Sequence, residues 1–167
     1  MTEPAMATEG ARSLIATDLK AGDRLPSFSV DVTATLVILG ALASRDWRPM
    51  HHDRDFAVQR NGLRDIFMNT PNQAAWFERY LTDWTGPKGR LARLKFRMRD
   101  SVYPGDRMVF SGVVDGVETD ETGCSFVRAT IELRVGDRVV TECAARIAVP
   151  STPEDNPWAR RGDRWRP

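Results

Sequence analysis

Both histidines of the chain, His51 and His52, stand side by side within ASRDWRPMHHDRDFAV, residues 43 to 58, with Asp46, Asp53 and Asp55 around them. An imidazole titrates near neutrality and an aspartate stays ionised, so such a pair held at one point can take a proton from water and return it. Asp46 and His51 flank Pro49, whose ring restricts the path between them. A metal is the second chemistry to weigh. On extended backbone, adjacent His51, His52 and Asp53 point in opposing directions, whereas a zinc site draws on about three or four ligands spaced roughly two to five positions apart. There is no other histidine, and Cys124 and Cys143 lie far along the chain without CxxC spacing, so no metal is expected. A solvated polar loop remains the alternative to proton transfer on residue types alone.

Whatever positions these groups is ordinary in composition. The 167 residues are enough for one domain with a real core, and 41% hydrophobic with 28% charged content fits a globular chain. A net charge of +1 gives no global field to argue for nucleic acid or an anionic membrane. MTEPAMATEGARS carries acidic residues and no apolar h-region, so no signal peptide is expected. The longest apolar run, ATLVILGALA at 34–43, is too short to span a bilayer and reads as a buried helix. These features together predict a cytoplasmic domain with neither a nucleic-acid nor a membrane partner.

The pattern predicts a loose lead-in over 1–16, a single domain over 17–150 and a Pro/Arg-rich tail over 151–167 that falls outside the sheet pattern. Phe28, Val30 and Val32 alternate as a short extended segment, and Thr33 can cap a helix through Ala43. Asn69 or Thr70 caps a second helix of about four turns, with Ala74, Phe77, Leu81 and Trp84 on one face and Gly86-Pro87 as its stop. From Arg90 the period becomes two. ARLKFRMRD, RMVFSGVVDGV, SFVRATIELRV and RVVTECAARIAV read as four antiparallel strands at hairpin distances. The expected class is α+β, a twisted sheet wrapping the long helix.

RDWRPMHHD resembles the motif Asp-x-Asn-Pro-[Ile/Leu]-His-x-Asp of the MaoC-like enoyl-CoA hydratases (hydratase 2). Asp46, Pro49, Met50, His51 and Asp53 fall on its defined positions, His52 falls on its variable one, and Arg48 stands where the family has asparagine. VYPGDRMVFSGVV resembles the family's turn into a strand, and the likeness extends from LKAGDRLP to IAVP. HHDRDFAV, DIFMN and RYLTDWTGP further resemble the small-subunit branch of actinobacterial steroid side-chain hydratases.

The resemblance implies a hot-dog fold, Asp46 and His51 as the water-activating pair, and an acyl-CoA thioester as substrate, with no cofactor. It also implies an oxyanion site at the start of the long helix, where the family has His-Gly and this chain has Met68-Asn69. The Asn69 backbone N–H can serve there, or Asn69 can be a helix cap only. Trp47, Phe67, Trp76 and Tyr80 are candidate walls for a bulky apolar acyl group, or ordinary core aromatics. Family members pair hot-dog subunits, so a heterotetramer with a second hot-dog subunit is expected, a homodimer acting on fatty acyl chains being the alternative. A thioesterase and a non-catalytic subunit completing a partner's pocket are the other readings.

Overall fold

The computed structural model describes residues 13–167. Strand β1, Arg24–Asp31, leads into helix α1, Ala34–Ala43, and helix α2 follows at Thr70–Thr85. Strands β2 (Arg90–Met98), β3 (Arg107–Thr119), β4 (Ser125–Val135) and β5 (Arg138–Val149) complete one antiparallel sheet of order β1-β3-β4-β5-β2. The sheet wraps α2, as expected of the hot dog. Phe77 and Leu81 are fully buried, and Phe77 meets Phe110 of β3 edge-on at 5.1 Å.

β3, β4 and β5 form a meander, but β2 does not pair with β3 as its hairpin distance suggested; it lies at the far edge, against β5. The segment between β2 and β3 crosses the start of α2 instead. There it buries Val102, whose carbonyl accepts from the Met68 amide at 2.9 Å, before the turn at Tyr103–Asp106 delivers the chain to β3. This crossing is what ties the approach to α2 into the core.

Two further expectations are corrected. α1 is not buried: Val37 and Ala41 face inward, while Leu39 is 57% and Leu42 41% exposed. A ten-residue helix lying against α2 has only one side to bury, and here all sides are apolar. The lead-in is not loose where it is described, since Leu14 and Ala16 donate to the carbonyls of Thr85 and Pro150, and residues 1–12 lie outside the described part. The tail packs against the body. Arg90 lies 3.6 Å from the Trp165 ring centroid and donates to the carbonyls of Pro157 and Arg160, while Trp165 lies against Phe126.

α1 and α2 approach closely at one point. A β-carbon on Gly40 would lie 1.9 Å from Asn72 Nδ2 and 2.9 Å from Asn72 Cβ, and Asn72 Nδ2 donates to the Leu36 carbonyl at 3.2 Å. Glycine in a helix costs about 1 kcal/mol against alanine, so its place here is set by the crossing. Gly40→Ala should therefore destabilise the protein despite its better helix propensity, by a net ~1–3 kcal/mol of overpacking. Urea unfolding measures this; an unchanged or raised midpoint would mean that Asn72 swings aside freely.

Candidate active site

The end of α1 sets the first functional group. Arg45 adopts a left-handed conformation (φ +54°), its N–H donating to the Leu42 carbonyl and that of Asp46 to the Ala41 carbonyl. This is a Schellman turn with arginine in the place that glycine usually takes, and it turns the chain sharply so that Asp46 faces back over the helix end. Ser44 Oγ donates to the Gly40 carbonyl at 2.8 Å.

Pro49 then opens a single 3₁₀ turn, Pro49–His51. His51 is 2% exposed, and its Nδ1 lies 2.8 Å from the Phe67 carbonyl. A carbonyl can only accept, so Nδ1 carries the proton and a neutral ring presents the Nε2 lone pair. Nε2 lies 3.4 Å from Asp46 Oδ2. The Phe67 ring packs edge-on against the imidazole at 4.6 Å. Asp53 caps the following turn, its Oδ1 accepting from the Phe56 amide at 3.0 Å. His52 turns the other way, its Nε2 3.2 Å from the Trp47 carbonyl.

The start of α2 brings the third group. Asn69 is 1% exposed; its Oδ1 accepts from the Asn72 amide at 3.2 Å as a helix cap, and its Nδ2 donates to Asp46 Oδ2 at 3.1 Å and Ser44 Oγ at 2.8 Å. Among the described residues the Asn69 backbone N–H meets no acceptor.

Arg48 closes the cluster from the solvent side. Its Nε and Nη2 meet Asp46 Oδ1 and Oδ2 at 2.9 and 3.0 Å, a two-pronged ion pair. That guanidinium holds the Asp46 carboxyl well below the usual carboxylate range; burial opposes it, and the Asn69 side-chain amide and the Arg48 backbone N–H reinforce it.

Asp46, His51, Asn69 and Phe67 thus come together. Trp47 does not join them: it is 65% exposed. Trp76 and Tyr80 lie about 10 and 16 Å along α2 from Asn69, against Phe28 of β1. Tyr80 is a core residue, 4% exposed, with its hydroxyl donating to the Pro26 carbonyl and its pKa pushed up to about 12 by burial. Sequence reasoning missed Ser44, the Phe67 carbonyl and the Arg48–Asp46 clamp. The charges at 46 and 48 were a legible signal for the clamp; a backbone carbonyl leaves none in residue type.

No family model matches the chain. It is 36% identical over 125 residues, 70% of this chain and 96% of the relative, to the 3-oxo-4,17-pregnadiene-20-carboxyl-CoA hydratase beta subunit of Mycobacterium tuberculosis. Among solved structures, a chain of the ChsH1–ChsH2 complex of M. tuberculosis superposes with a TM-score of 0.71 at 28% identity, over 77% of this chain and 97% of that one. A MaoC-like dehydratase from Rhodospirillum rubrum gives 0.73 at 21% identity, over 84% and 99%, a likeness of fold. The sheet wrapped on α2 is that of the hot-dog class. Within it, the chain belongs to the MaoC-like enoyl-CoA hydratase family.

The clamp predicts a pH dependence. Because the folded pKa of Asp46 is depressed, the stability it contributes is fully present above the unfolded value of about 4 and is lost as pH falls through the folded value. Arg48→Asn should raise the Asp46 titration toward the ordinary range, read by carboxyl carbon NMR. Its stability deficit should be full above about pH 4 and shrink below it. An Asp46 titration that did not move would assign the depression to Asn69 and the backbone alone.

Proposed function

We propose that this chain is the catalytic subunit of a hydratase that adds water across the 2,3 double bond of a steroid side-chain enoyl-CoA, reversibly. The observation that carries the chemistry is Asp46 Oδ2 lying 3.4 Å from His51 Nε2 and 3.1 Å from the side-chain amide of Asn69, the N-cap residue of α2. A water donating one hydrogen to Nε2 and the other to the carboxylate keeps its oxygen lone pairs free. That oxygen attacks C3 as the Asp46–His51 pair takes its proton, and the pair delivers a proton to C2. The thioester oxygen gathers negative charge as the enolate forms, and the Asn69 N–H at the positive end of α2 stabilises it. The thioester already makes C3 electrophilic, so neither metal nor cofactor enters the scheme.

The steroidal acyl group is inferred from the relative of M. tuberculosis, whose name gives a pregnadiene carboxyl-CoA as its substrate. The solved two-component complex supports a second hot-dog subunit as partner, in a heterotetramer. Trp47 and the leucines of α1 are exposed and free to line an acyl path completed by that subunit.

Loss of enoyl-thioester absorbance tests the reading, on a steroid and a short-chain enoyl-CoA, with the chain alone and co-expressed with a hot-dog partner. Steroid turnover only with the partner is expected. Asp46→Asn and His51→Ala should each lower it by about 10²–10⁴-fold. Turnover untouched by either substitution would sink the mechanism. Free thiol release without hydration would make the chain a thioesterase instead.

A further inference from the structure

Every acceptor site on the Asp46 carboxylate is filled. Arg48 Nε and, at 3.4 Å, the Arg48 backbone N–H donate to Oδ1; Arg48 Nη2 and Asn69 Nδ2 donate to Oδ2. A carboxylate offers about four lone-pair sites, so none remains. His51 Nε2 stands 3.4 Å from Oδ2 but brings a lone pair rather than a proton, because Nδ1 holds the hydrogen against the Phe67 carbonyl. In this arrangement a water can donate to His51 and not to Asp46. For the pair to hold a water jointly, one donor has to leave Oδ2.

The two donors on Oδ2 are not equally free to go. Asn69 is 1% exposed, and its side chain also caps α2 and holds Ser44. Arg48 is 65% exposed, and among the described residues Asp46 is its one acidic partner. Its backbone N–H stays on Oδ1 when the side chain swings out, so the carboxylate keeps its place while a site opens on each oxygen. Leaving breaks a two-pronged ion pair, which water replaces poorly and an anion replaces in kind.

A second observation points to an anion. Arg45 holds a left-handed φ of +54° that glycine adopts with less strain, it is exposed, and among the described residues its guanidinium has no acidic partner. The turn alone favours glycine, so the fold gives no reason for a charge there. Two cations thus bracket Asp46 and Trp47 in the chain. We propose that Arg48 is a gate on Asp46, closed in the free chain, which a phosphate group of the ligand opens by drawing the guanidinium off, with Arg45 as the second cation that receives it. This rests on the acyl-CoA reading above and adds what uncovers the reacting pair.

The Asp46 carboxyl carbon resonance of the full chain, identified by its loss in D46N, reads the gate without turnover. At constant ionic strength, inorganic phosphate or coenzyme A should move that resonance toward its position in R48A, and neither should move it in R48A itself. A wild-type resonance that neither probe moves overturns the proposal, as does one that moves equally in R48A. R45G should melt no lower than wild type and need at least about threefold more phosphate for the same movement; an undiminished response overturns the proposal. Turnover with the partner subunit present gives the second test. On an enoyl-pantetheine thioester, which carries no phosphate, R48A should be about fivefold faster than wild type, the weight of one solvent-exposed ion pair. Slower turnover would mean that Arg48 holds Asp46 in place rather than covering it, and overturns the gate. R48Q serves in both tests should R48A not fold. Absence of turnover in every form fails the hydratase reading and leaves the resonance to decide this one.

Discussion

Asp46 Oδ2 is contacted by Arg48 and His51 from its own loop and by Asn69 from the start of α2, and the Asn69 contact holds only while the end of α1 sits on the start of α2. The crossing at Gly40 and Asn72 fixes that distance, and the left-handed turn at Arg45 fixes the direction in which Asp46 leaves the helix. A displacement of about one ångström between the helices would break the amide-to-carboxylate bond, since hydrogen bonds weaken steeply beyond their normal length. Much of the fold serves this contact. The β2–β3 crossing pins Met68, the core side of α2 pins its axis, and β1 hands the chain to α1 at Thr33, whose hydroxyl caps the helix at 3.1 Å.

Asn69 does three jobs with one residue: its side-chain oxygen caps α2, its side-chain nitrogen holds Asp46, and its backbone N–H is left over. A glycine at this position would offer the N–H alone. The extra amide also makes the carboxylate a poorer base, because a hydrogen bond to the ionised form stabilises it. Arg48 acts in the same direction. Asp46 is thereby kept as a fixed anion, and His51, tethered through Nδ1, is left to take the proton through Nε2.

How legible this was in the sequence differs by element. α2, its Asn69 cap and the alternation of the strands were readable because each buries one face and the period of the apolar residues reports it. The exposed side of α1 was not, because a run that is apolar on every side carries no period, and its hydrophobicity reads as burial. Nor was the pairing of β2 with β5, since short connections favour hairpins and nothing in residues 99–106 announces a crossing. The tail, rich in proline and arginine, showed no periodicity to place it; its two tryptophans are what hold it down around Arg90. At the site, Asp46 and His51 were marked by type and spacing, whereas the Phe67 carbonyl that orients the imidazole depends on the backbone path alone.

Access to the pair follows from the same geometry. His51 keeps 2% of its side chain exposed and Asp46 keeps 11%, so the opening to solvent lies on the Asp46 side, and the half of that opening seen in this chain is roofed by the Arg48 guanidinium. Arg48 is itself 65% exposed and long enough to follow an incoming anionic group without moving the backbone. Trp47, next to it in the chain, is exposed, and α1 exposes Leu39 and Leu42, apolar surface that the helix does not bury. A cation beside exposed apolar surface suits a molecule with a charged end and an apolar one. On the proposed acyl-CoA reading, a second wall laid over the exposed side of α1 would take that surface and the acyl chain out of water together.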